Sequence, residues 1–242
     1  MKAQMTTAAG NGTVASVRVW DVPVRVFHWL LVISFGAAYL LGDSERWRQI
    51  HVMFGYTVLG LIAFRILWGF VGTRYARFTS FLHGPRAALR YVGSLASRKP
   101  EHHVGHNPAG SWAVYAMLAL GVATGLSGYL TLNEFGGDAV EELHEILANT
   151  WLVVVFVHVA GVIASSVAHR ENLARAMLTG YKRGDGESIR ASVSSPRRPI
   201  VGVLLASAVL IFWLGSLLIG GPTIIERSSQ ATMAQTAEDD DD

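Results

Sequence analysis

Apolar and polar positions fall in long blocks along this chain rather than in short amphipathic periods. Five apolar blocks lie near residues 24–42, 50–72, 110–132, 143–168 and 200–221. Each approaches the roughly 20 residues an α-helix needs to cross a bilayer. The pattern predicts an all-α integral membrane protein: a four-helix transmembrane bundle with a fifth transmembrane helix after it. The first block is the shortest as a strictly apolar run. It can lengthen at its N-terminal end, where Asp21 predicts a helix cap and Pro23 a first-turn position. "GHNPAGSW" predicts the same kind of start for the third block, with Asn107 as cap and Pro108 just inside.

The polar stretches set the expected organisation. A polar N-terminal segment covers 1–17, the four-helix unit 18–183, a Pro-bounded linker 184–199, the fifth helix 200–222 and an acidic tail 223–242. The closing "EDDDD" predicts disorder. No sequence repeat is visible. The N-terminal segment lacks an apolar core of the signal-peptide kind, so the first apolar helix is expected to direct insertion.

Composition agrees with the pattern. Hydrophobic residues make up 51% and charged residues 16% of the chain, and mean hydropathy is +0.34; soluble domains carry more charge. There is no cysteine. That excludes disulfides, thiolate-held iron–sulfur clusters and covalently attached c-type haem.

Charge sets the expected orientation. Sixteen of the twenty lysines and arginines lie in the N-terminal segment, in the loop after block two and in the linker after block four. The opposite loops hold only Arg46, Arg48 and Arg227, and Arg65 lies inside block two. Basic loops stay cytoplasmic, so the N-terminus is expected inside and the C-terminus outside. Thirteen of the eighteen acids fall on the expected outer side. They are either solvated loop residues or a docking face for a cationic partner. No nucleic-acid partner is expected.

Candidate chemistry rests on histidine. Of nine histidines, His28, His51, His144 and His158 fall within the blocks. His144 and His158 share one helix, fourteen residues apart; that is about 21 Å of rise and some 40° short of four full turns. They face nearly the same way at different depths, so two sites are implied. Matching depth pairs His51 with His144 near the outer surface and His28 with His158 in the inner half. Two imidazole pairs on facing helices suit two b-type haems held from both faces, leaving no open iron position for oxygen. Arg65, fourteen residues after His51, either meets an anion such as an inner haem carboxylate or a quinone oxygen, or extends to the headgroups. Arg25, three residues before His28, is a further candidate partner of a haem carboxylate. Gly121, Gly125 and Gly128 share a face of block three, for close helix packing or to admit the edge of a macrocycle. "EHHVGH" (Glu101 to His106) has no spacing diagnostic of a metal, and His83 and His169 are expected at the interface.

Several stretches together carry a resemblance: "VWDVPVRVFHWLL", "HVMFGYTVLGLIAFRILWGFVGTRYARF", "GPRAALRYV", "GHNPAGSW", "LHEILAN", "HVAGV" and "HRENLARAMLTG". The chain resembles the bacterial cytochrome b561 and nickel–iron-hydrogenase b-type cytochrome superfamily over about 18–183. The resemblance implies two haems ligated by His28, His51, His144 and His158, and electron exchange between the quinone pool and a periplasmic redox partner such as a hydrogenase or a cytochrome c. Whether the chain is itself a quinone-linked oxidoreductase or an electron-carrying subunit stays open, as do direction of flow and dimerisation. A proton or metal-cation transporter with a histidine relay is the alternative from another class. Against it stand few intramembrane carboxylates and no paired broken helices. A structural anchor subunit is a third reading.

Overall fold

The computed structural model describes residues 15–95, 101, 103, 105–184 and 198–239. Four long helices form the bundle: α1 (Val22–Leu40), α2 (Arg48–Val71), α4 (Pro108–Leu132) and α5 (Gly137–His169), with α3 (Pro85–Leu95) between the second and third spans. A short helix α6 (Leu173–Thr179) follows α5, and α7 (Arg198–Asp239) is the fifth long helix. Five segments are long and apolar enough to cross a membrane: Val22–Leu40, Glu45–Val71, Pro108–Leu132, Gly137–His169 and Pro199–Ile219.

Both expected caps form. Asp21 Oδ1 accepts from the Val24 N–H at 2.9 Å, and Asn107 Oδ1 accepts from the Gly110 N–H at 2.7 Å. Each satisfies one of the unpaired amides at a helix start. Helix α5 begins six residues before the expected 143. Gly136, at φ 87°, turns the chain into it, and Asp138 sits in its first turn, where a negative charge meets the positive end of the helix dipole. At 33 residues it is about 50 Å long, more than the ~30 Å hydrocarbon thickness.

Two expectations are corrected. The apolar span of α7 ends at Ile219, close to the expected 221, but the helix does not stop with it: its backbone stays helical to Asp239. Of the closing "EDDDD" only Glu238 and Asp239 are described, at the end of this helix, while 240–242 and most of the linker, 185–197, lie outside the described residues. The basic end is also more structured than a loop reading implies. Strands β1 (Ala15–Arg18) and β2 (Tyr181–Gly184) pair antiparallel, Val17 opposite Lys182. Val17, Val19, Trp20, Val24, Ala76 and Ala176 are buried together beneath them. Gly180, at φ 88°, has no room for a side chain: a Cβ there would lie 2.8 Å from the Trp20 carbonyl oxygen and 2.9 Å from Arg25 Nη1.

Helix α5 packs along α4, while α1 packs on α2 and α7. Helix α7 is keyed to α2 by Trp213, whose Nε1–H donates to Thr57 Oγ1 at 2.9 Å. Between α5 on one side and α1 and α2 on the other, the backbones make no more than marginal approach. The gap between these backbones is a slot filled by side chains, and the intramembrane histidines line it.

Candidate functional site

Three helices, with the turn after α1, place residues along the slot in layers seven apart. On α1 and the turn after it these are His28, Phe35 and Gly42; on α2, His51, Val58 and Arg65; on α5, His144, Trp151 and His158. Seven residues are about 10.5 Å of rise and nearly two full turns, so each set stays on one face. Because α2 runs against α1, His51 meets Gly42 and Arg65 falls to the level of His28.

The layer at the acidic end joins His51 and His144. Their ring centres are 6.2 Å apart and their planes stand at 88°. His51 Nδ1–H donates to the Ala38 carbonyl at 2.8 Å. His144 Nδ1–H donates to the Thr124 carbonyl at 3.0 Å and lies 3.1 Å from Ser127 Oγ. A carbonyl only accepts, so Nδ1 carries the proton in both rings and Nε2 keeps its lone pair. Gly128 makes room for the His144 ring; a Cβ there would lie 2.8 Å from His144 Cε1. Gly121 and Gly125 admit side chains of neighbouring helices, a Cβ at Gly125 falling 2.8 Å from Leu59 Cδ1 and one at Gly121 2.8 Å from the Trp151 ring and closer still to Ile62. At all three glycines a neighbouring helix's side chain lies where a Cβ would fall.

The layer at the basic end holds His28, His158 and Arg65. His28 Nδ1 is sealed from solvent with no hydrogen-bond partner among the described residues, and His28 lies within electrostatic reach of His158. Arg65 does not extend to the headgroups. It is 3% exposed, and its guanidinium sits 5.1 Å from the Phe78 ring centre and 5.9 Å from that of Phe81. Its Nη1 has no partner among the described residues. Arg25 lies against Gly180, and its Nε is buried without a partner among the described residues.

Beside this layer a polar cavity of about 210 Å³ is lined by Arg74, Tyr75, Ser80, His83, His103, Gly105 and His106. Burial pushes His106 down to about 3, and Arg65, Lys182, His158 and His83 act in the same direction. Burial lowers Lys182 too, opposed by Glu171. His83 bonds Ser111 at 3.0 Å and His169 bonds Tyr91 at 3.3 Å, so both are tied into the basic end. Of "EHHVGH", His102 and Val104 lie outside the described residues. Among the described residues no group of three or more His, Asp or Glu is placed to hold a bare metal ion.

The acidic-end pair suits a haem iron taking two axial imidazoles. A metal–nitrogen bond of about 2 Å, with roughly 1 Å from nitrogen to ring centre on each side, puts two ring centres about 6 Å apart. The observed 6.2 Å, with both Nε2 lone pairs available, meets that requirement. At the basic end the orphaned polar atoms of His28, Arg65 and Arg25 suit a group that brings both a metal and anionic oxygens.

Comparison with known families decides the class. The family profile of prokaryotic cytochrome b561 matches residues 19–180. The chain belongs to that family. The cytochrome is similar to the probable Ni/Fe-hydrogenase B-type cytochrome subunit of Rhodobacter capsulatus, 25% identical over 215 residues, covering 69% of this chain and 81% of the relative. It is similar to the probable Ni/Fe-hydrogenase 1 B-type cytochrome subunit of Escherichia coli strain K12, at 24% over 219 residues, 71% of this chain and 93% of the relative. The corresponding protein of Rhizobium leguminosarum bv. viciae is 24% identical over 215 residues, with 69% and 89% covered. No solved structure matches. The cytochrome is accordingly a multi-pass bacterial membrane protein that binds haem b and carries electrons. Helix α7 lies beyond the matched region.

Sequence reasoning brought forward the four histidines, Arg65 and Arg25. It missed Ser127 and the Thr124 and Ala38 carbonyls, which orient the rings. It also missed Phe35 and Trp151. Their seven-residue spacing from the histidines is a readable signal, but large apolar residues in a membrane helix first read as ordinary packing.

Proposed function

We propose that the cytochrome holds two b-type haems, one between His51 and His144 and one between His28 and His158, and passes electrons between them across the bacterial inner membrane. The observation that carries the reading is the His51–His144 pair, with ring centres 6.2 Å apart and both Nδ1 atoms facing backbone carbonyls. The haems supply reversible one-electron chemistry. The chain would supply imidazole nitrogens to them, fix the tautomers of His51 and His144, and exclude water. Arg65 and Arg25 hold anionic oxygen of the inner haem. With the basic end cytoplasmic and the acidic end periplasmic, the His51–His144 site is the outer one.

On this reading electrons are exchanged between quinone in the membrane and a periplasmic redox partner. The relatives' names place them with Ni/Fe-hydrogenases, and a hydrogenase or a cytochrome c is the partner class we favour. In this orientation thirteen acids would fall on the periplasmic side and would steer a basic partner. Reduction of the purified cytochrome by a basic c-type cytochrome should slow as salt rises from low to physiological strength; a salt-independent rate removes the docking role. Alanine at each of the four histidines in turn, with haem counted per chain, tests the ligand set. Two haems surviving any one of these substitutions, with unchanged spectra, excludes that histidine.

A further inference from the structure

Midway between the two histidine layers the slot is not open. Trp151 crosses it from α5 and is 3% exposed. It packs on Val58 and Ile62 of α2, with Leu31 and Phe35 of α1 against the same cluster. The Phe35 and Trp151 ring centres are 4.5 Å apart. Trp151 stands seven residues from His144 and seven from His158, Phe35 seven from His28, and Val58 seven from His51. The three helices thus converge on one aromatic layer, about 10.5 Å along α5 from each ligand level.

The choice of tryptophan here has a cost. Its indole Nε1–H is buried with no acceptor among the described residues, and an unsatisfied buried donor costs about 1–3 kcal/mol. Leucine or phenylalanine would fill much of the space without that cost. What tryptophan adds is the largest π system among the side chains, placed on the line between the two sites. A residue that breaks a local rule at such a position is a candidate for function.

We infer that Trp151, backed by Phe35, is the partition and electronic bridge between the two haem sites. This rests on the two-haem reading. It assigns to Trp151 a positioning role, separating two compartments of one slot, and a coupling role, supplying the polarisable medium through which an electron tunnels. One electron leaves the iron held by His51 and His144, which goes from ferrous to ferric, and arrives at the iron held by His28 and His158, which goes from ferric to ferrous, or the reverse. No bond forms or breaks, no proton moves, and Trp151 is not itself oxidised.

The test uses full-length cytochrome in phospholipid vesicles, reduced from outside by a membrane-impermeant reductant in a stopped-flow spectrometer. The readout is the rate at which the second haem is reduced after the first. Haem content and spectra are measured on the same samples. We expect W151L to keep two haems and to slow the second reduction several-fold, and W151F to fall between W151L and the unaltered chain. Two haems with an unchanged second rate in W151L overturn the bridge. So does W151F being as slow as W151L, because a retained aromatic ring should then preserve part of the coupling. Should W151L fail to assemble, W151F and F35L carry the test, with a slowed second reduction expected in both and an unchanged rate in both overturning it. An unaltered chain that binds one haem or none defeats the two-haem reading instead, a result distinct from any of these.

Discussion

Replacing Gly128 with alanine probes the outer site with one methyl group. The added Cβ would lie 2.8 Å from His144 Cε1 and 3.1 Å from Nδ1. Non-bonded carbon atoms rest about 3.5–4.0 Å apart, so the ring must retreat by roughly 0.7–1.2 Å. Both helices are fixed by close packing, since Gly121 and Gly125 on the same face of α4 already admit neighbouring side chains. The imidazole therefore moves rather than the backbone, and its bonds to the Thr124 carbonyl at 3.0 Å and Ser127 Oγ at 3.1 Å stretch beyond useful length. Overpacking of this kind costs about 1–3 kcal/mol, and the lost hydrogen bond about 0.5–1.5 kcal/mol more. The fold should survive while the outer ligand geometry does not. Haem per purified chain, assayed as the pyridine haemochrome, should fall from two to about one in G128A. Gly161→Ala is the control: nothing lies within 4 Å of its added Cβ, and it should keep two. G128A with two haems and an unaltered spectrum would refute the placement of His144 as a ligand.

Other expectations follow from the same geometry. His158→Ala should remove mainly one haem, and equal loss of both in a folded protein would contradict the pairing. Ser127→Ala removes one acceptor near His144 Nδ1–H, so the ring donates less electron density to iron; redox titration should show the outer midpoint potential rising, with Ser127→Thr retaining the original value. The unfolded chain takes up a proton at His106 near pH 6.5, while burial holds the folded ring near 3. The unfolded state thus binds the extra proton between these values. Stability is present above about pH 6.5 and is lost as pH falls toward 3, at up to about 1.4 kcal/mol per unit from this group. Thermal melts in detergent should show the loss, and His106→Gln should flatten it; an unchanged slope would show that other groups set the acid lability.

The helices and caps were legible because membrane insertion imposes a coarse signal. Apolar runs near bilayer length mark α1, α2, α4 and α5, and Asp21 and Asn107 sit where unpaired amides need acceptors. The four histidines were legible for a related reason, since alternating spans let depth be counted from either end. What escaped notice depends on contacts between distant parts of the chain. Strands of four residues, 163 positions apart at Arg18 and Tyr181, leave no periodic trace. The acceptors for His51 and His144 include backbone carbonyls, which every residue possesses, so no side-chain pattern announces them. The fate of Arg65 turned on Phe78 and Phe81 folding back over it, which its distance from the helix end could not decide. Trp151 was visible at its seven-residue spacing, but only the width of the slot shows why that spacing matters.

The most direct measurement is the number and type of haems in the purified, unaltered cytochrome from haem-replete cells. Haem quantified against protein by amino-acid analysis, with low-temperature electron paramagnetic resonance of the oxidised form, should give two low-spin haems per chain, each with two imidazole ligands. One haem per chain, none, or a high-spin iron with an open position would contradict the ligation of two irons by His28, His51, His144 and His158.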